Sequence, residues 1–226
     1  MIEKMCQYSI VRVRRSKILV ACAGFMAVTT GPVFAEDSPW WARVGPGYIN
    51  YYEDATLKAF GAKIPGANAE TNNNKALIVE VGYRVTPNWS MGFTFGTPPE
   101  ATLKGTGTAK SFGSFGKAKY GPSLLSLQYQ FNEDSAFRPY VGAGVSYMYI
   151  FSSKDGSVQG LDVKNAWGFQ IQAGAEYWIT KEYGLFLDVK KFALNTEATG
   201  TMNGAPVKAE IDLDPLVLQT GLVFRF

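Results

Sequence analysis

The residues that most often carry chemistry are scarce in this chain. It has no histidine, and its two cysteines are Cys6 and Cys22. Without imidazole there is no Ser–His or Cys–His nucleophile, no His base and no His metal site. Two cysteines so placed make no zinc cluster. The noteworthy ionisable groups are instead single charges set in Gly-rich or apolar stretches: Arg43, Glu80, Arg84, Glu176, Asp188, Lys190 and Arg225. They are four bases and three acids. A charge withdrawn from water persists only when paired. The chemistry on offer is therefore a network of ion pairs, with a polar ion path as the alternative. No catalytic residue, metal site or cofactor is expected, and the chain does not read as an enzyme.

The elements that position these charges begin after a leader. Residues 1–17 carry Lys4, Arg12, Arg14, Arg15 and Lys17 against Glu3, and Ile18 to Ala35 holds no charge. Val33-Phe34-Ala35 places smaller side chains at the −3 and −1 positions before Glu36. This is the three-part layout of a secretory signal peptide, so residues 1–35 are expected to be cleaved and 36–226 to form one domain. A membrane anchor is the competing reading, but Gly31-Pro32 breaks the apolar stretch near its end. Cys22 follows Lys17 too closely for a lipoprotein signal, and polar residues follow Arg14-Arg15 where a twin-arginine signal needs apolar ones. The leader takes five of the twenty-two bases and one of the nineteen acids, leaving a net charge of −1. The overall basicity goes with it, and with it any global electrostatic case for nucleic acid. Both cysteines leave too, so no disulfide staples the mature chain.

What remains reads as eight β-strands near 41–51, 75–85, 88–97, 122–131, 138–150, 166–179, 183–194 and 212–226, each with period-2 patterning. A tilted membrane-crossing strand needs about 9–11 residues. Short and long connections alternate along the chain, as they do when antiparallel strands cross a slab with turns on one side and loops on the other. On 167–179, Trp167, Phe169, Ile171, Ala173, Ala175, Tyr177 and Ile179 share one face. Gly168, Gln170, Gln172, Gly174, Glu176 and Trp178 share the other. An eight-stranded barrel has an interior only just wide enough for side chains. The small polar face fits inside and the large apolar face fits lipid. Trp40, Tyr83, Trp89, Tyr177, Tyr183 and Phe226 gather near the short turns. Tyr48, Tyr51, Phe95, Tyr147 and Tyr149 gather near the other ends. Two such girdles mark the two leaflets. The expected fold class is an all-β, eight-stranded antiparallel transmembrane barrel in the cell outer membrane.

Several stretches, in order, resemble the outer membrane protein W (OmpW) family of Gram-negative bacteria, which includes the alkane-importer-like barrels. They are Gly121-Pro122-Ser123-Leu124, Arg138-Pro139-Tyr140-Val141-Gly142-Ala143-Gly144, Leu187-Asp188-Val189-Lys190-Lys191, and Leu213-Asp214-Pro215 leading to Phe226. Gly121 departs from a Leu-Pro-Pro common in the family. The resemblance implies a barrel that passes small hydrophobic solutes, and for some members a role as a phage or bacteriocin receptor. Terminal Phe226 resembles the signal read by the barrel-assembly machinery. A structural or receptor role played by the loops is the alternative function. The 98–121 loop, with Lys104, Lys110, Lys117 and Lys119 against Glu100, could meet lipopolysaccharide phosphates at the lipid surface.

The inward face divides by height. The seven charges form a cross-lumen floor at the periplasmic end. Above it stand Ile49, Ile78, Leu124, Met148, Ile150, Phe192, Leu194, Leu213 and Val217, as either a packed plug or an apolar ligand path. A guest stopped by the floor would have to leave sideways. Pro46 and Pro215 lack a ladder N–H and lie on the two strands that close the barrel, so they are the candidate lateral exits.

Overall fold

The computed structural model describes residues 38–226 apart from Tyr52 and Glu133. The leader 1–35, with Cys6 and Cys22, lies outside the described residues. Eight long strands form the wall: β1 (Trp40–Asn50), β5 (Asn74–Arg84), β6 (Trp89–Gly96), β8 (Ser114–Gln130), β9 (Phe137–Asp155), β11 (Ala166–Trp178), β12 (Tyr183–Met202) and β14 (Leu216–Arg225). Each pairs antiparallel with the next, and β1 pairs with β14 to close the ring. The backbone polar groups are thereby bonded between strands, which is the condition for crossing hydrocarbon.

The closing seam depends on two glycines. A Cβ on Gly45 would sit 1.9 Å from the Thr220 carbonyl, and one on Gly221 would sit 2.1 Å from that of Val44. Only backbones without side chains on that face approach so closely. The short turns are set by hydroxyl groups. Thr86 Oγ1 accepts the Trp89 N–H at 3.0 Å, and Thr180 Oγ1 accepts those of Glu182 and Tyr183. The large apolar side chains face outward through the membrane zone, among them Met91, Phe93, Leu125, Leu127, Phe169, Ile171, Leu185 and Leu187.

The structure corrects the sequence reading above the membrane. The segments read as loops are largely strand: β2 (Glu53–Ala59), β3 (Ala62–Lys63), β4 (Ala67–Thr71), β7 (Glu100–Gly107), β10 (Gln159–Val163) and β13 (Ala205–Leu213). β8, β9 and β12 also run well beyond their expected ends to meet them. The last expected strand is two, since β13 ends at Leu213 and β14 begins at Leu216 across Asp214-Pro215. This extension has an apolar interior of its own, including Leu57, Ala69, Leu103, Phe115, Leu161, Ala198 and Ile211.

Candidate functional site

The lumen is built in layers, each set by which residues point inward. At the periplasmic end Arg43, 2% exposed, is the hub. Its Nε and Nη2 donate to Glu176 Oε1 at 2.9 and 2.6 Å. Its Nη1 donates to Glu80 Oε2 at 3.2 Å and to Gln128 Oε1 at 2.9 Å. The guanidinium also stacks 4.3 Å from the Trp41 ring and 4.1 Å from that of Tyr140. Glu176 Oε2 accepts from Gln130 and Trp178, both at 2.8 Å. Lys190 bonds Asp188 at 2.6 Å and stands 3.7 Å from Glu80, while the Tyr140 hydroxyl donates to Asp188 at 2.5 Å. Six strands, β1, β5, β8, β9, β11 and β12, thus meet in one bonded cluster.

Arg84 and Arg225 stay outside that cluster, which differs from the seven-membered network read from sequence. Arg84 lies two inward steps nearer the rim than Glu80 and Arg225 one step nearer than Val223, and neither makes an ion pair among the described residues. Arg225 instead stacks 4.7 Å from the Trp178 ring. Glu176 has no bonding capacity turned their way, because Arg43, Gln130 and Trp178 already occupy both its oxygens. Sequence position gave their height but not the reach of their side chains.

Neutral polar side chains interleave with the ionic layer and rise from it: Thr94, Gln172 and Gln219 stand opposite Glu80, Lys190 and Asp188, and Gln170 and Ser146 lie further up, all buried. Above these opens an apolar cavity with an empty volume of about 780 Å³, part of it open space. Ile49, Met148, Ile150, Phe192, Leu194, Leu213 and Val217 line it. Ile78 and Leu124 do not; they pack with Ile49, Ala76, Phe192 and Val217 beneath it. A second apolar cavity of about 600 Å³ lies in the extracellular extension, lined by Leu57, Ala109, Phe112, Phe115, Met202 and Val207 among others. Leu103 lines both. The Tyr51 and Tyr120 hydroxyls bond one another at the wall of the lower cavity.

The two candidate exits differ. Pro215 lines the lower cavity. There β14 has ended its pairing with β1 at Asn50–Leu216, and β13 and β2 begin theirs at Leu213–Glu53. The pairing of β1 with β14 and that of β2 with β13 are therefore interrupted at Asp214-Pro215, where on the other side the Phe192 N–H still donates to the Pro215 carbonyl at 3.1 Å. Lys191, on the lipid side, caps this break by donating to the Asp214 carbonyl at 2.5 Å. Pro46 points outward, borders neither cavity, and neighbours the tightly packed Gly45–Thr220 contact.

Sequence reasoning missed the lining supplied by the extension: Ala101, Leu103, Ala118 and Ile211. It also missed Pro122, which borders the same cavity where β8 leaves β6 at Leu124 and has yet to meet β7 at Lys119. Pro122 carried the same missing N–H as Pro215 and was the available signal. On the outer surface, Lys117 and Lys154 bond Glu100 at 3.0 and 3.1 Å, so two of the extension's cations are already paired.

The sequence model of the OmpW family matches residues 42–226. The dibenzothiophene metabolism operon protein PahQ of Pseudomonas aeruginosa is 31% identical over 195 residues, 86% of this chain and 92% of that one. Outer membrane protein AlkL of Ectopseudomonas oleovorans is 32% identical over 170 residues, 75% of this chain and 74% of that one. The crystal structure of the outer membrane protein OprG from Pseudomonas aeruginosa superimposes with a TM-score of 0.77 at 21% identity, covering 84% of this chain and 96% of that one. The last likeness is one of fold.

Proposed function

This chain belongs to the OmpW family of outer-membrane barrels, and we propose that it carries small hydrophobic molecules passively across the outer membrane and releases them sideways into the bilayer. The observation that carries this reading is the order of the layers. Two apolar cavities, one above the other, stand over a buried ionic cluster that spans the lumen. An apolar guest is stabilised in the cavities by leaving water. To continue downward it would have to part charges and strip them of their bonds, which costs several kcal/mol. The break in the wall at Pro215 is at the height of the lower cavity and requires no such disruption. The name of PahQ places that relative in an operon for the metabolism of dibenzothiophene, an apolar aromatic compound, which agrees with a guest of this class.

The same reading includes export through a leader cleaved after Ala35, assembly aided by Phe226, and contact of the extension's free lysines with lipopolysaccharide. The test is uptake of a panel of apolar compounds by cells with and without the protein. Faster uptake of apolar compounds, with small polar solutes unaffected, supports transport. Equal uptake in both strains would transfer the role to the extracellular surface as a structural or receptor element.

A further inference from the structure

The neutral belt that interleaves with the ionic cluster and rises from it to the lower cavity holds five buried polar atoms that bond nothing among the described residues. They are Thr94 Oγ1, Ser146 Oγ, Gln170 Oε1, Gln172 Nε2 and Gln219 Oε1. The remaining unbonded atoms are on Asn74 and on the two rim arginines. Folded proteins bond nearly all such groups, and an exception calls for a physical reason. Here the exceptions form a band that runs from the level of Glu80, Asp188 and Lys190, opposite Thr94, Gln219 and Gln172, up to the floor of the cavity. Ser146 lines the cavity itself. Thr94 stands opposite Leu124 across β6 and β8, Gln170 opposite Phe192 across β11 and β12, and Gln219 one inward step below Val217. The amides are half used: Gln170 Nε2 donates to Gln172 Oε1, and Gln219 Nε2 donates to the Ile78 carbonyl, both at 3.2 Å. Each of the two leaves its oxygen unbonded.

The charged neighbours are committed elsewhere. Lys190 is held by Asp188 and Glu80, and Arg43 by Glu176 and Glu80. The groups left to meet a guest are therefore uncharged. They include donors, the two hydroxyls and the Gln172 amide, and acceptors, the oxygens of Gln170 and Gln219. A hydroxyl both donates and accepts, so it suits such a set better than an ether or a halide. An apolar pocket ending in a few convergent polar groups fixes the orientation of its ligand.

Resting on the transport reading above, we propose that the preferred guest is a neutral amphiphile, an apolar chain or ring bearing one terminal hydroxyl, seated head down on this belt. A pure hydrocarbon fills the same cavity but leaves the five atoms unbonded.

The probes are 1-octanol and n-nonane, equal in heavy-atom count. Uptake is measured in cells with wild-type protein, with Ser146→Ala/Thr94→Val, and with no protein. The protein should raise octanol uptake more than nonane uptake, and the double variant should lower that octanol-to-nonane ratio by about fivefold to tenfold, the value of one or two hydrogen bonds. Direct titration of 1-octanol into the purified barrel in detergent, with Gln170→Met as a further variant, guards against a poorly assembling double variant; Gln170→Met should weaken octanol binding. Equal enhancement of both solutes by wild-type protein, or an unchanged ratio in the variants, overturns the proposal while leaving hydrophobic transport standing. Enhancement of neither solute overturns both.

Discussion

Replacing Glu176 by Ala would remove one carboxylate that accepts four hydrogen bonds. Two come from Arg43, one from Gln130 and one from Trp178. Breaking a buried pair by deleting one partner costs about 3–5 kcal/mol. Arg43 keeps Glu80 at 3.2 Å, which places its own loss toward the lower end of that range. Two neutral donors are also stranded, at about 1–3 kcal/mol each if they stay dry. Water admitted from the nearby rim would relieve part of that, so a net loss of about 4 kcal/mol is expected. Glu176→Gln keeps the shape and one acceptor oxygen but turns an amide toward one set of donors; it should cost about half as much. The assay is equilibrium urea unfolding in detergent, followed by tryptophan fluorescence. Arg84→Ala is the control: Arg84 makes no ion pair among the described residues, and its removal should shift stability by less than about 1 kcal/mol. If Glu176→Ala also shifts stability by less than about 1 kcal/mol, the cluster is hydrated and does not seal the lumen.

Gly45→Val should lower the yield of folded barrel sharply, because its Cβ alone would fall 1.9 Å from the Thr220 carbonyl; heat-modifiable migration on a gel reads the folded fraction. Gly61→Ala, where nothing stands within 4 Å of the added atom, should cost far less despite its positive φ. In the extension, hydrogen bonds from Lys117 and then Lys154 hold Glu100 below its ordinary value of 4.5. A carboxylate depressed on folding contributes stability above its unfolded value and loses it as pH falls through the folded one. Acidification from neutral pH to below that range should therefore release both lysines, seen as faster amide exchange in β7 and β8, and Glu100→Gln should remove the pH dependence.

The barrel was legible because its outward face is apolar and its inward face small or polar for ten or so residues at a time. The extension was not, and β12 shows why. Inward positions alternate with outward ones without interruption from Gly184 to Ala198. Within the membrane the outward residues are Leu185, Leu187 and Val189, and the inward ones include Asp188 and Lys190. Beyond it the outward residues become Asn195 and Glu197, and the inward ones Phe192, Leu194 and Ala198. The geometric period is unchanged while the hydropathic phase reverses, because lipid outside has been replaced by water. Near the crossover the contrast between faces vanishes, and an alternation rule ends the strand there. The small side chains of the extension, Ala55, Ala67, Ala69 and Ala101, weaken the signal further. Among the charges, facing and height followed from register alone. Which of them bond followed from side-chain reach across the lumen, and that is why Arg84 and Arg225 were grouped with a cluster they do not join.

The described residues hold three methionines, and each samples a different environment. Met202 lines the outer cavity and Met148 the lower one, while Met91 faces lipid. Methyl-labelled protein in detergent, titrated with an apolar compound, tests the central claim directly. Occupation of the cavities predicts saturable shifts of the Met202 and Met148 methyls and only a linear, partition-like drift of Met91. A linear drift of all three, or a response confined to Met91, would show that the guest stays in the surrounding lipid phase and that the apolar lumen is a packed plug.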